Sequence, residues 1–480
     1  MRTEPYKVHK LFLCLRYLRK RRIAFFGIAA VALCVGMLIV ITSLFHGFID
    51  SLNKYWQRSW GQIELLPQYP LHRFDELAEH IERFEQVSRA TYVTNTGALL
   101  YLGPGDVRGV ELQGIDLRRA ADDQEFRRGL LLEKDQNVPP SFALSAEAVE
   151  AYQSWHKKKF KRRAPEDKLP VGAIVGIGIL AQPDEITDQY NREVLIEQVR
   201  NRTTPLIITT GKSSRPSAER AATVKKIQAI CWPVDVIETG IYQTDTTNVY
   251  LPFNYLRDLI GTDGPDGKEC LGRILIFLKP NVVPAEIKDK LEEHWRQFAR
   301  SSLHWPESRI ENARMLVSLE MPNLRLLTNE VNKQLSIMQL IIGLICLVAV
   351  LLIFVILLMI VMQKQKDIGI LRAIGSARIS VAGLFLAYGA AIGCAGSGLG
   401  LLLGIWATRN INLIESVLTK LLGFKIWKSG VYLFSQIPNE VAWSSIVWIL
   451  IVGVLTAILG ALLPAIRAAR LEPVQALRYE

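Results

Sequence analysis

Four long stretches without a single charged side chain, at residues 23–45, 335–362, 379–408 and 441–466, constrain this chain more than any other feature. A helix needs about 20 consecutive apolar residues to cross the hydrocarbon core of a bilayer. Inside that core each backbone amide and carbonyl must be satisfied within the protein, which favours helices. Each stretch meets the length, so the chain is predicted to be a membrane α-helical protein with four transmembrane helices. A polar stretch long enough to bury its own core separates the first and second. The expected fold class is therefore four spans plus an α+β extracytoplasmic domain on helical stalks. This division explains a mean hydropathy of +0.18 in a chain that is 50% hydrophobic.

Basic residues set the expected orientation, because Lys and Arg beside spans stay on the cytoplasmic side. Arg16, Arg19, Lys20, Arg21 and Arg22 precede the first span; Lys364, Lys366, Arg372 and Arg378 lie between the second and third; Arg467, Arg470 and Arg478 follow the fourth. Arg409, Lys420, Lys425 and Lys428 weaken the bias in the remaining loop. The first run is too long for a signal-peptide core and lacks a small-x-small cleavage site, so it reads as a retained anchor. The resulting layout is a cytoplasmic amphipathic N-terminal helix (1–22), the first span (23–46) and a periplasmic domain with stalk extensions (47–333). The second span (334–363), a cytoplasmic helix (364–379) and the third span (380–408) follow. A short extracytoplasmic loop (409–440), the fourth span (441–466) and a cytoplasmic tail (467–480) complete it. The net charge of +11 is assigned to contact with anionic lipid rather than nucleic acid. The basic run 157–163 reads as a solvated loop of the outer domain.

Phe45, Phe48, Leu52 and Trp56 continue the helical spacing beyond the first span, and Leu316, Leu319, Leu324, Leu327, Val331 and Leu335 approach the second in the same way. Two such extensions would form a stalk. Leu44, Phe45, Phe48 and Leu52 give it an apolar surface that suits either cargo contact or helix packing. In the outer domain the pattern predicts a helix at 74–87, strands at 90–102, 107–115, 172–180, 194–199, 206–210, 227–236 and 273–278, and a helix at 284–300. Residues 118–168 carry little periodicity and read as an insertion or lid. Gly383, Gly389, Gly393, Gly396, Gly398, Gly400 and Gly404 fall in the third span, many at four-residue spacing. Small residues so spaced let helix backbones approach, and packing within the chain is preferred to a subunit interface.

Two motifs mislead. TGKS at 210–213 resembles the end of a phosphate-binding loop, but Leu206 stands where the earlier glycine is required. GIGILA at 176–181 fits a permissive dinucleotide pattern, yet Pro183 follows and no long helix opens there. No HExxH or GxSxG occurs, and no charge interrupts the spans. Catalytic residues, a metal and a bound cofactor are not expected. Of six cysteines, Cys34, Cys346 and Cys394 lie in spans, and Cys14 just ahead of one, as apolar fillers. Cys231 and Cys270 belong to the outer domain, with a disulfide or two free thiols both open.

The most specific signal is QKQKDIGILRAIGSAR at 363–378, a short amphipathic helix between the second and third spans. It resembles the signature of the FtsX-like (MacB-type) ABC permease superfamily, with Asp367 where glutamate is usual. LPAIRAARLEPVQALR at 463–478 resembles that superfamily's second signature. VIETGIYQTDTTNVYLP at 236–252, VYLFSQIP at 431–438 and LRYLR at 15–19 are similar to segments of its lipoprotein-releasing LolC/LolE branch. Residues 118–168 and 200–226 are not covered.

The resemblance implies a non-catalytic permease subunit in a bacterial inner membrane, both termini cytoplasmic. A cytoplasmic ABC ATPase dimer would bind the ATP, and the mechanism would be mechanotransmission through the stalks. A second permease chain, identical or not, is implied, as is a periplasmic carrier or adaptor. Asp367, Ile368, Gly369, Ile370, Leu371, Arg372, Ala373, Ile374 and Gly375 would form the ATPase-coupling site, with the isoleucines and Leu371 as apolar contacts and Asp367 and Arg372 fixing register. The cargo implied is lipoprotein or another lipophilic molecule. The alternatives are an FtsX-like signalling module for envelope enzymes and a MacB-like exporter working with an adaptor.

Overall fold

The computed structural model describes residues 22–103, 105–121, 124–132, 139–165, 169–184, 186–213, 224–264, 267–363, 365–374, 377–428, 430, 434 and 436–470. The chain divides into two units. One comprises Met1–Leu52, Leu326–Ile414 and Ile437–Glu480, the other Asn53–Arg325 and Glu415–Gln436.

The first unit is helical. Four helices, Arg22–Trp60, Pro322–Gln363, Arg378–Arg409 and Trp443–Arg470, are long and apolar enough to cross a membrane. At 1.5 Å per residue the first two are roughly 60 Å long, about twice the thickness of a hydrocarbon core. They pack through Val31, Val35 and Ile39 of the first helix, Ile353 and Leu357 of the second, Ile392 of the third, and Ala457, Ala461 and Ala465 of the fourth. Lipid gives no hydrophobic drive for helix association, so close backbone approach matters more than side-chain size. The glycines of the third helix provide that approach, on two faces. A Cβ at Gly389 would lie 2.4 Å from Ala461 Cβ, and one at Gly393 would lie 2.9 Å from Ala457 Cβ, both on the fourth helix. A Cβ at Gly396 would meet Val31 Cβ at 2.6 Å, and one at Gly400 would meet the Ala32 carbonyl at 2.7 Å, both on the first. Helices of this same chain therefore fill the faces that carry Gly389, Gly393, Gly396 and Gly400.

The second unit is built on a nine-stranded sheet ordered β11-β1-β10-β2-β3-β7-β4-β6-β5. In chain order these are β1 (Ile63–Leu66), β2 (Val87–Gly103), β3 (Asp106–Ile115), β4 (Val171–Gly176), β5 (Leu206–Ser213), β6 (Val224–Ile237), β7 (Asn248–Pro252), β10 (Arg273–Leu278) and β11 (Arg314–Val317). β8 (Thr262–Gly264) and β9 (Gly267–Glu269) form a separate hairpin. The long β2 serves twice. Its first half pairs with β10, whereas Ala98–Tyr101 pair antiparallel with β5 as well as with β3. That second pairing closes β2, β3, β7, β4, β6 and β5 into a six-stranded ring. Alternation along these strands turns Leu100, Leu112, Val175, Ile208, Val249 and Leu251 into one buried cluster. The open part of the sheet is covered by the helices Phe74–Glu82 and Pro284–Ser301, whose Leu77, Ile81, Leu291, Trp295 and Phe298 recur at helical spacing and are buried together.

Both long helices join this unit at one end of a single strand pair. β1 begins three residues after Trp60, β11 ends five residues before Pro322, and Ile63 lies opposite Val317. The junction is pinned: the Ser318 hydroxyl donates to the Gly61 carbonyl at 2.5 Å and the Ser318 amide to the Gln62 carbonyl at 3.0 Å. Gly61 has a φ of +68°, and a Cβ there would sit 2.6 Å from the Ile276 carbonyl, so glycine is required twice over.

Several expectations change. Residues 194–199 belong to a helix, Arg192–Arg200, because Leu195 and Val199 bury one face of it. Leu316 is in β11, and the helix leading into the second span starts at Pro322. Lys157–Lys159 occupy the last turn of a helix, Ala146–Phe160, where positive charge suits the C-terminal end. Residues 118–168 include that helix and another, Gln124–Gly129. Cys231 and Cys270 are both free thiols, buried in separate clusters, and no bridge joins them. The expected N-terminal helix up to residue 21, the tail 471–480 and residues 214–223 lie outside the described residues.

Candidate coupling site and its frame

The segment between the second and third spanning helices folds as the helix Gln365–Ala373. The structure divides its apolar residues. Ile368 is 4% exposed and joins the core of the helical unit with Ile360, Val361 and Val381, so it anchors the helix rather than meeting a partner. Gly369 is buried on the same side. Ile370 is 48% and Ile374 80% exposed, one turn apart, and the Ile374 amide donates to the Ile370 carbonyl at 3.0 Å. Ala373 is also exposed. The side chains of Asp367, Leu371 and Arg372, and Gly375, lie outside the described residues. The second signature places Pro464, Ala465, Ala468 and Ala469 in the core of the fourth helix, with Leu463, Arg467 and Arg470 outward.

On the extension of the first spanning helix, Leu44, Phe45 and Phe48 are half-buried, and Leu52 is buried. Leu52 therefore offers no surface to a cargo. The helix also packs through small polar groups: Ser43 Oγ accepts the Ala442 amide at 3.2 Å, and a Cβ on Gly47 would touch Pro438 at 3.2 Å.

Further along the same helix, within the second unit, Tyr55 shares a hydrogen bond of 2.8 Å between its hydroxyl and Thr244 Oγ1. Thr244 lies on the short helix Tyr242–Thr247, inside the segment 236–252. Asp245 organises that segment. Its Oδ1 accepts the Thr239 amide and hydroxyl at 2.7 and 2.8 Å, and its Oδ2 accepts the Gly240 amide at 3.1 Å. Burial nevertheless pushes its carboxyl up to about 7, with the Thr239 donors acting against the rise. Cβ atoms at Gly176 and Gly178 would meet the Asp245 carbonyl and Thr246, so the glycines of 176–181 exist to admit this helix. Residues 210–213 are in β5, where Thr210 Oγ1 donates to the Gly97 carbonyl at 2.9 Å; no phosphate loop forms.

The junction beside Trp60 is also charged. Arg273 stacks over the Trp60 ring at 4.8 Å, pairs with the buried Glu64 at 3.0 Å and donates to Asn95 Oδ1 at 2.8 Å. Burial raises the Glu64 carboxyl while Arg273 opposes the rise. The spacing of hydrophobic residues carried no trace of Tyr55–Thr244 or Glu64–Arg273, which are single polar pairs between distant segments. Among the described residues no group of three or more His, Cys, Asp or Glu side chains could hold a metal ion.

Residues 340–473 match the family described as FtsX-like permease C-terminal. The chain is similar to the lipoprotein-releasing system transmembrane protein LolC of Neisseria meningitidis, at 25% identity over 97% of this chain and 98% of that protein. It is 34% identical to LolC of Haemophilus influenzae over 30% of this chain and 34% of that one. Of solved structures, the periplasmic region of MacB from Actinobacillus actinomycetemcomitans aligns with 54% of this chain and 90% of that one, at 13% identity and a TM-score of 0.24. Residues 340–473 match an FtsX-like permease domain, and along nearly its whole length the chain is similar to the LolC/LolE type of ABC transporter permease.

Proposed function

We propose that this permease works with a separate cytoplasmic ATPase dimer to release lipoprotein, or a similarly lipophilic cargo, from the outer leaflet of a bacterial inner membrane. The observation that carries this reading is the helix Gln365–Ala373. It is fastened to the permease by Ile368 and leaves Ile370 and Ile374 exposed one turn apart. Ile370 on the helix and Ile374 just past its end make a small apolar docking surface of the helix-in-groove kind. The cargo is suggested by what the similar LolC proteins are said to release. Four spanning helices supply few walls for a path through the membrane, so a second permease chain and a carrier on the far side complete the machine. In this scheme the ATPase moves the helix Gln365–Ala373, and the long helices carry the movement outward.

Replacing both contacts, Ile370→Asp with Ile374→Asp, is expected to abolish co-purification of the ATPase while the permease still inserts. Exposed positions tolerate charge, so folding is spared. Normal ATPase recovery with the double variant would overturn the docking role.

A further inference from the structure

The helix Ile411–Leu422, which follows the third spanning helix, has the opposite polarity to a helix covering a water-soluble core. Leu413, Val417 and Leu421 recur every four residues and are 60%, 49% and 76% exposed, and Leu418 and Leu422 widen the stripe. No residue of the helix is buried. On its polar side Asn412 and Glu415 bind the chain, while Ser416 stays exposed. Asn412 holds Ile437 by two bonds, donating to its carbonyl at 3.0 Å and accepting its amide at 2.9 Å. Glu415 Oε1 accepts the Trp427 amide at 3.4 Å. The following segment is fixed to its own unit: Lys425 pairs with Asp188 at 3.7 Å, and Phe434 bridges to Ile241. An amphipathic helix normally turns its apolar stripe inward.

We propose that this helix lies in the bilayer interface, with Leu413, Val417 and Leu421 among the acyl chains and Asn412 and Glu415 turned away. Lipid is the occupant because of where the helix starts. Only Asn410 separates it from Arg409, the end of a spanning helix, so its first turn is held at the depth where that span leaves the hydrocarbon. Exposed tryptophans mark the same boundary, Trp406 near the end of the third spanning helix and Trp443 at the start of the fourth, as expected of an aromatic belt. Phe424 and Ile426, also exposed, extend the apolar edge past the helix. The inference rests on the third and fourth helices crossing the membrane and is independent of the ATPase and the cargo.

A fluorescent amino acid encoded at position 417, 421 or 416, one at a time, in the full chain tests it. The protein is reconstituted in phosphatidylethanolamine–phosphatidylglycerol vesicles with or without lipid carrying a quencher high on the acyl chain. The labels at 417 and 421 are expected to lose about half or more of their emission to the quencher lipid, since an interfacial helix sits at that depth. They should also resist aqueous iodide, and the label at 416, on the opposite side, should show the reverse. Iodide quenching at 417 and 421 equal to that at 416 would overturn the proposal in favour of water. Resistance to both quenchers at 417 and 421 would overturn it in favour of a second chain or bound cargo.

Discussion

At Asp245 burial and hydrogen bonding act in opposition, and the balance has a measurable sign. The folded carboxyl is pushed up to about 7 from 3.8. Below about 4 both folded and unfolded chains hold the proton, and above about 7 neither does. Between these values the folded state keeps a proton that the unfolded chain has released, so stability of the second unit falls as pH rises through this window and then levels. Asp245→Asn is expected to flatten that slope, because the amide does not titrate. The same variant turns an NH2 group towards the Gly240 or Thr239 donors and loses a buried bond, a cost of about 1–3 kcal/mol. Hydrogen exchange of the 224–252 amides in the full chain, followed against pH, reads both effects. A wild-type slope unchanged in the variant would contradict the assignment. None of this was visible in the residue pattern, where Asp245 was one acid in a matched segment.

Elements were legible where one face dominates. The four spans, β10 and the helix Pro284–Ser301 agree closely with the spacing of their apolar residues. The same reasoning failed at 194–199, where a short run reads equally as strand or helix and only burial of Leu195 and Val199 decides. It failed also at 314–317, where helical spacing was extended across a strand edge that pairs with β1. For the coupling helix the segment was legible but not its faces: nothing in the residue order shows that Ile368 turns inward and Ile374 outward. The glycine-rich third span gives a paired prediction. Gly400→Val must displace the Ala32 carbonyl and Val35, and should destabilise the helical unit by about 1–3 kcal/mol through overpacking. A Cβ at Gly398 meets nothing within 4 Å, so Gly398→Ala should be neutral or slightly stabilising. Thermal unfolding of both variants in detergent checks the contrast, and equal shifts would mean that the close approach at Gly400 is not formed.

For the molecule as a whole, long-range pairing was the least legible part, because no local pattern announces that β5 returns to β2. The cysteines illustrate the limit: two outer-domain residues invited a bridge, and the fold places them in different cores. Burial pushes the Cys231 thiol up to about 12 and the Cys270 thiol up to about 11, which keeps both protonated and slow to react. Mass-tagging the denatured, unreduced chain is expected to label both, and failure at either would show a bridge. The common root of the two long helices has a mechanical consequence. Ile63 and Val317 face each other at the end of β1 and β11 where both helices attach. Sliding β1 along β11 would load their backbone bonds together, as in a lap joint. Prising the two helices apart would instead open that joint one bond at a time, beginning at the Ser318–Gly61 clasp. The β1–β11 pair would therefore resist sliding more than peeling, and four residues of each strand carry that difference.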